Sequence, residues 1–178
     1  MTLNVRPSWQ GGTIEGRARV LGDDINTDYI IASTRKRDTL DEQVLKRYLL
    51  ETVDPAFAAS VIPGDIIVAG SNFGCGSAME IAVTVILAAG IDAVLARSFS
   101  RTFFRNAVNN GLLPIECDTT GIVEGDRLSV SDAETAMVVR DARRGLDIAA
   151  RPMPAMMREI LAAGGLVNYM QQYRGFRL

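Results

Sequence analysis

Hydrophobic and polar positions change pattern along the chain, and each pattern predicts an element. From Thr13 to Gly22, Ile14, Gly16, Ala18 and Val20 alternate with Glu15, Arg17 and Arg19, the two-residue period of a half-buried strand. An acidic, turn-rich segment follows (Gly22-Asp23-Asp24-Ile25-Asn26-Thr27-Asp28), and Tyr29 to Ala32 re-enters the core. Ser33-Thr34-Arg35-Lys36-Arg37-Asp38 is a basic loop without an apolar residue. Thr39-Leu40-Asp41-Glu42 has the form of a capping box, which predicts a helix through Leu50 with Leu40, Val44, Tyr48 and Leu49 on one face. Asp54-Pro55 predicts the cap and first residue of a short helix reaching Ser60.

Beyond Pro63-Gly64-Asp65 the pattern becomes continuous rather than alternating. Ile66 to Ala69 is an apolar run read as a strand, Ala93 to Ala96 is a continuous apolar run of the kind found in buried parallel strands, and Leu112 to Cys117 reads as a third core strand. Helical segments separate them: Met79 to Ala89, apolar on nearly all sides, and a helix capped by Ser100, carrying Phe103, Phe104 and Val108 and stopped by Gly111. This alternation describes an α/β layer. Gly121 to Val130 and Thr135 to Arg140 read as strands joined by a turn at Ser131-Asp132-Ala133-Glu134, a β-rich extension of that layer. Arg140 to Arg151 reads as a charged loop. A terminal helix spans Pro154 to Ala163, with Met157, Ile160 and Leu161 inward and Gly164-Gly165 closing it.

The junction of strand and helix at Gly70-Ser71-Asn72-Phe73-Gly74-Cys75-Gly76-Ser77-Ala78-Met79-Glu80 holds the chemistry. Gly74 and Gly76 permit φ > 0 and close approach of a ligand to the backbone. A helix starting near Ala78, with Ser77 at its N-cap, would aim unpaired N–H groups and a positive dipole end at the loop. Such a place holds an anion or a developing negative charge. A dinucleotide fingerprint fits poorly, because its third glycine position is Met79, and no Walker lysine is present. A plainer reading stands beside it, in which the glycines make only a tight turn and Ser77 only caps a helix.

Composition narrows the chemistry further. With 178 residues, 48% hydrophobic and 22% charged, the chain suits a single soluble domain, its core over about 14–170 and its ends (1–12 and 171–178) flexible. A net charge of −2 gives no electrostatic reason to bind nucleic acid or an anionic membrane. The longest apolar stretch is too short to span a bilayer, no signal pattern opens the chain, and the cytoplasm is the expected compartment. Histidine is absent, which removes Ser-His-Asp and Cys-His catalysis. Cys75 and Cys117 are the only cysteines, too few for an iron–sulfur cluster or structural zinc held by this chain alone. A metal needed for the chemistry would take most of its ligands from another chain.

The string Asn72-Phe73-Gly74-Cys75-Gly76-Ser77 after Ile66-Ile67-Val68-Ala69-Gly70 resembles the small subunit of 3-isopropylmalate dehydratase, the separate-chain counterpart of the swivelling C-terminal domain of aconitase. Gly16 to Asp28 followed by Ile30-Ile31 is similar to the family's opening. Ala96 to Asn106 with Asn110-Gly111-Leu112 is similar to its second signature, and Ile160 to Tyr169 to its tail. The resemblance covers about residues 14 to 170 and implies a swivelling β/β/α fold. It implies a hydro-lyase that removes water from a 2-hydroxy diacid and returns it at the neighbouring carbon. A large partner subunit would carry a [4Fe–4S] cluster whose open iron takes the substrate hydroxyl and a carboxylate; this chain would bind no cofactor of its own. Ser77 stands in the place of the serine whose alkoxide removes the proton α to a carboxylate, with Gly76, Ala78 and Asp28 among the substrate-binding positions.

The match breaks directly after that serine. The family continues Ser-Arg-Glu-His-Ala where this chain has Ala78-Met79-Glu80-Ile81-Ala82. Losing the arginine at 79 removes a carboxylate contact, on the order of 1.5–3 kcal/mol for each charged hydrogen bond. The basic loop lies where the family carries its substrate-selecting loop, so Arg35 or Arg37 becomes the candidate replacement in a paralogue with a changed 2-hydroxy acid substrate. The alternative is a non-catalytic subunit kept for anion binding or assembly.

Overall fold

Strand β1 (Ile14–Val20) is shared by two halves of one seven-stranded sheet. The computed structural model describes residues 9, 12–37, 39–133 and 136–176. After β1 come the one-turn helix α1 (Thr27–Ile30), a 3₁₀ turn at Arg35–Arg37, helix α2 (Glu42–Leu45) tightening into a 3₁₀ turn at Lys46–Tyr48, and α3 (Phe57–Ser60). Then β2 (Ile66–Ala69), α4 (Ile81–Ala88), β3 (Ala93–Ala96), α5 (Arg101–Asn110) and β4 (Leu113–Glu116) alternate. The meander β5 (Arg127–Ala133), β6 (Ala136–Asp141) and β7 (Leu146–Ala149) precedes two helices, α6 (Ala155–Ala162) and α7 (Leu166–Tyr173).

The sheet order is β4-β3-β2-β1-β5-β6-β7. β1 runs parallel to β2 (Ala18 opposite Ile66), and β2, β3 and β4 are parallel in turn. On its other edge β1 is antiparallel to β5, with Gly16 opposite Leu128. The chain leaving β7 returns to the opposite edge, where Arg151 N donates to Glu116 O (2.7 Å) and the Arg151 guanidinium meets the Glu116 carboxylate (2.7 Å).

Every residue of β2 and β3 is buried because both faces of the parallel half are covered. Alternate side chains go to opposite cores. Ile67, Ala69, Val94 and Ala96 pack with Leu45, Val83, Ile86 and Phe103 from α2, α4 and α5. Ile66, Val68, Ala93 and Leu95 face the meander residues Leu128, Val130 and Val139 and, from α6 and α7, Ile160, Leu161 and Tyr169.

The α/β layer and the β-rich extension stand as the pattern predicts, with local corrections. Arg19, placed on the polar side of β1, is only 5% exposed. It lies 4.4 Å over the Phe57 ring and bonds Glu124 (2.7 Å), Ser60 Oγ (2.9 Å) and Asp65 (3.4 Å). Asp65 is itself buried and also takes Arg17 through two nitrogens (3.1 and 2.8 Å) and the Ile62 N–H (3.0 Å). The capping box at Thr39 is misplaced: Asp41 caps α2, accepting from Gln43 N at 2.8 Å, and Leu40 is 72% exposed rather than inward. Ser131 to Ala133, expected in the turn, extend β5, and the rest of the expected turn and strand start, residues 134 and 135, lies outside the described residues. The expected loop at 140–151 contains β7, and α7 adds a helix beyond Gly165. Of the chain ends expected to be flexible, residues 1–8, 10, 11, 177 and 178 lie outside the described residues; α7 runs to Tyr173.

Candidate active site

The C-terminal ends of parallel strands collect loops on one rim, the usual place for a ligand in an open α/β sheet. Here the loop following β2 is stitched to its neighbours on both sides. Toward the loop after β1, Gly70 N donates to Gly22 O (3.1 Å), Asp24 N to Ser71 O (2.9 Å), Gly74 N to Ile25 O (2.7 Å) and Thr27 N to Cys75 O (2.9 Å). Toward the segment after β3, Phe73 N donates to Ser98 O (3.0 Å), Ser100 N to Phe73 O (2.9 Å) and Ser100 Oγ to Gly74 O (2.6 Å). Asp23 closes this lattice at the rim, where the Ser71 N–H and the Arg97 guanidinium hold its carboxyl below the usual carboxylate range.

Gly74 (φ +74°) and Gly76 (φ +93°) make the reversal that brings Ser77 to the surface. A Cβ on Gly74 would lie 2.1 Å from the Phe103 ring, so the loop rests directly on α5. Phe103 is fixed in turn between Phe73 (edge-on, 5.1 Å) and Phe99 (stacked, 6.2 Å). Gly76, Ser77 and Ala78 are exposed, and Thr27 Oγ1 donates to the Ser77 carbonyl (3.0 Å).

Ser77 is not the N-cap of the following helix. Helix α4 starts at Ile81, later than the expected Met79, and Glu80 precedes it without a side-chain cap. The shift leaves a run of free donors. Among the described residues, no acceptor takes the backbone N–H of Gly76, Ser77, Ala78, Met79 or Glu80. Unpaired N–H groups leading into a helix N-terminus favour negative charge at this rim.

The other expected positions divide. Asp28 is half-buried on α1, its carboxylate accepting from Ser33 Oγ. Arg35 is tied to Glu51 by two 2.8 Å hydrogen bonds and lies 3.9 Å over the Tyr48 ring. Arg37 is exposed. From the basic loop, Lys36 reaches the loop after β2, its Nζ resting against Met79 Sδ. Met79 is 8% exposed and belongs to the helical-side core. Sequence reasoning passed over Lys36 in favour of its arginine neighbours, although its place in the same basic run was the signal.

Metal-binding capacity is correspondingly small. Cys75 is half-buried in the loop, and burial, aided by the Asp118 charge, pushes the Cys117 thiol up to about 12. Among the described residues no three His, Cys, Asp or Glu side chains gather as metal ligands. These residues do not fit an iron–sulfur cluster. Among them, too, no helix is long and apolar enough to cross a membrane.

Residues 21–120 match the model of the aconitase C-terminal domain. The chain belongs to that family. Its likeness to individual aconitase-domain proteins extends past the matched segment. It is 45% identical over 159 residues to the 3-isopropylmalate dehydratase small subunit of Moorella thermoacetica, covering 88% of this chain and 94% of that one. It is 43% identical to the methanogen homoaconitase small subunit of Methanocaldococcus jannaschii, covering 89% and 92%. A crystal structure of 3-isopropylmalate dehydratase from the same archaeon superposes with a TM-score of 0.86 at 42% identity, covering 91% of this chain and 95% of that one. The aconitase-domain fold and the resemblance drawn from the motifs both stand.

Proposed function

We propose that this chain is the small subunit of an aconitase-family hydro-lyase of the 3-isopropylmalate dehydratase and homoaconitase type. In this reading Ser77 is the base for a 2-hydroxy diacid, and a large subunit carries the [4Fe–4S] cluster. The observation that carries it is the row of unpaired N–H groups from Gly76 to Glu80 around an exposed serine. A serine oxygen removes a carbon-bound proton only if its negative charge is stabilised, and fixed donors at a helix entrance supply that without reorganisation. Thr27 holds the Ser77 carbonyl, so the backbone that aims the hydroxyl is tied to α1.

Lys36 is the relocated carboxylate contact in this reading. Among the described residues no carboxylate pairs with it, and its ammonium lies against Met79, the position where the family's arginine is missing. Arg35, held by Glu51 and Tyr48, positions the loop. An ammonium offers a point charge where a guanidinium offers a planar fork, so substrates fitting this pocket need not present a bidentate carboxylate at that end.

The test is kinetic. The chain is co-purified with a cluster-bearing large subunit from the same genome and assayed on a panel of 2-hydroxy diacids. Ser77→Ala is expected to lower turnover by about 10²–10⁴-fold with assembly intact. Lys36→Met is expected to raise KM about tenfold or more, the loss of one charged hydrogen bond. Wild-type turnover in Ser77→Ala removes the base assignment and leaves an anion-binding or assembly subunit.

A further inference from the structure

A groove of about 530 Å³ opens beside the candidate active site, lined by Phe99, Arg101, Phe104, Arg105 and Glu116. Arg101 and Arg105 are exposed and one helical turn apart on α5, so their guanidinium groups project from the same face. Among the described residues neither meets a carboxylate, and Glu116 is neutralised by Arg151. Phe99 and Phe104 stay half-buried and pack edge-on at 5.8 Å. A chain of net charge −2 thus gathers unpaired cations around a half-exposed aromatic pair.

We infer that this groove is a docking surface for the large subunit, and that its occupant is an acidic segment carrying an apolar side chain. Carboxylates would bridge Arg101 and Arg105, and the apolar group would cover Phe99 and Phe104. Arginine beside aromatic rings is the composition of energetically dominant interface positions. Location chooses the large subunit. Phe99 sits in the segment that pairs with Phe73, and Ser100 bonds Gly74, so the groove and the Ser77 loop belong to one hydrogen-bonded rim. A partner that closes over Ser77 passes over the groove. The inference rests on the small-subunit reading above.

The experiment titrates the full chain with the large subunit and measures Kd by calorimetry. Arg101→Glu with Arg105→Glu is expected to weaken assembly on the order of 10- to 100-fold and to flatten its salt dependence. Both positions are exposed, so the variant should keep the wild-type melting curve. At saturating large subunit its kcat should recover. Ser77→Ala should assemble with wild-type Kd yet fail to turn over. An unchanged Kd in the double variant overturns the docking surface and leaves the Ser77 assignment standing. Turnover surviving in Ser77→Ala would instead remove that assignment without touching the groove.

Discussion

Alanine at Gly74 and alanine at Gly76 make the same chemical change within one loop, and the structure assigns them different costs. Both glycines hold positive φ, +74° and +93°, where a Cβ costs roughly 1–2 kcal/mol. Loss of glycine's freedom in the unfolded chain returns about 0.4–1 kcal/mol in each case. Packing separates them. The Cβ at 74 would meet Phe103 Cγ, Cβ and Cδ2 at 2.1, 2.3 and 2.5 Å, and Phe103 is 2% exposed between two other rings. It cannot swing aside, and overpacking of this kind adds about 1–3 kcal/mol. At 76 the nearest atom is Thr27 Oγ1 at 3.4 Å, an ordinary contact. Gly76→Ala should therefore cost about 1 kcal/mol and Gly74→Ala about 2–4 kcal/mol. Equilibrium urea unfolding followed by circular dichroism, with m-values compared, measures the difference. Equal destabilisation would refute the claim that the loop is seated on the aromatic cluster.

Other expectations follow from the same geometry. Asp65→Ala should cost about 2–3 kcal/mol, because the Ile62 N–H loses its acceptor and Arg17 keeps only the Ser60 carbonyl, while Arg19 keeps Glu124, Ser60 and Phe57; urea midpoints measure it. Burial pushes the Asp65 carboxyl up, but hydrogen bonds from Arg17, the Ile62 N–H and Arg19 outweigh it and hold the folded-state value below normal. Its contribution is therefore full above the unfolded value near pH 4 and lost as pH falls through the depressed folded value, so wild type and variant should converge in acid. Asp41→Ala should cost about 1 kcal/mol by removing the cap of α2, whereas Thr39→Ala, at the discarded cap position, should cost less in the same assay. Thr27→Val should lower kcat of the assembled enzyme on the order of 10- to 100-fold, with KM little changed, because it frees the Ser77 carbonyl.

Burial decided how much of this was legible from the residues alone. The runs at 66–69 and 93–96 announce themselves because both faces of those strands are covered. The glycine-framed serine was legible because only glycine tolerates the backbone reversal in front of it. Strand β7 was not, since an edge strand with little buried surface has no apolar period to read. Arg19 looked like an outward residue because Asp65 and Glu124, which make its burial affordable, are far away in sequence. The start of α4 was read early because Met79 is apolar and fits the helical pattern, yet its side chain is spent against Lys36 and the core before the helix begins. Choosing Lys36 over Arg35 required knowing that Glu51 and Tyr48 stand close enough to hold the arginine.

The first strand has a kinetic consequence. Its neighbours on either side, Ile66 opposite Ala18 and Val130 opposite Ile14, leave the ribosome at very different times. The parallel layer with α2, α4 and α5 on one face can form while synthesis continues, but one border of Ile14–Val20 stays open until the meander emerges, and the other face stays bare until α6 and α7 follow. Nascent chains whose emerged part ends between residues 117 and 126 should therefore expose an unpaired edge of Ile14–Val20, the stage at which this polypeptide has most need of a chaperone.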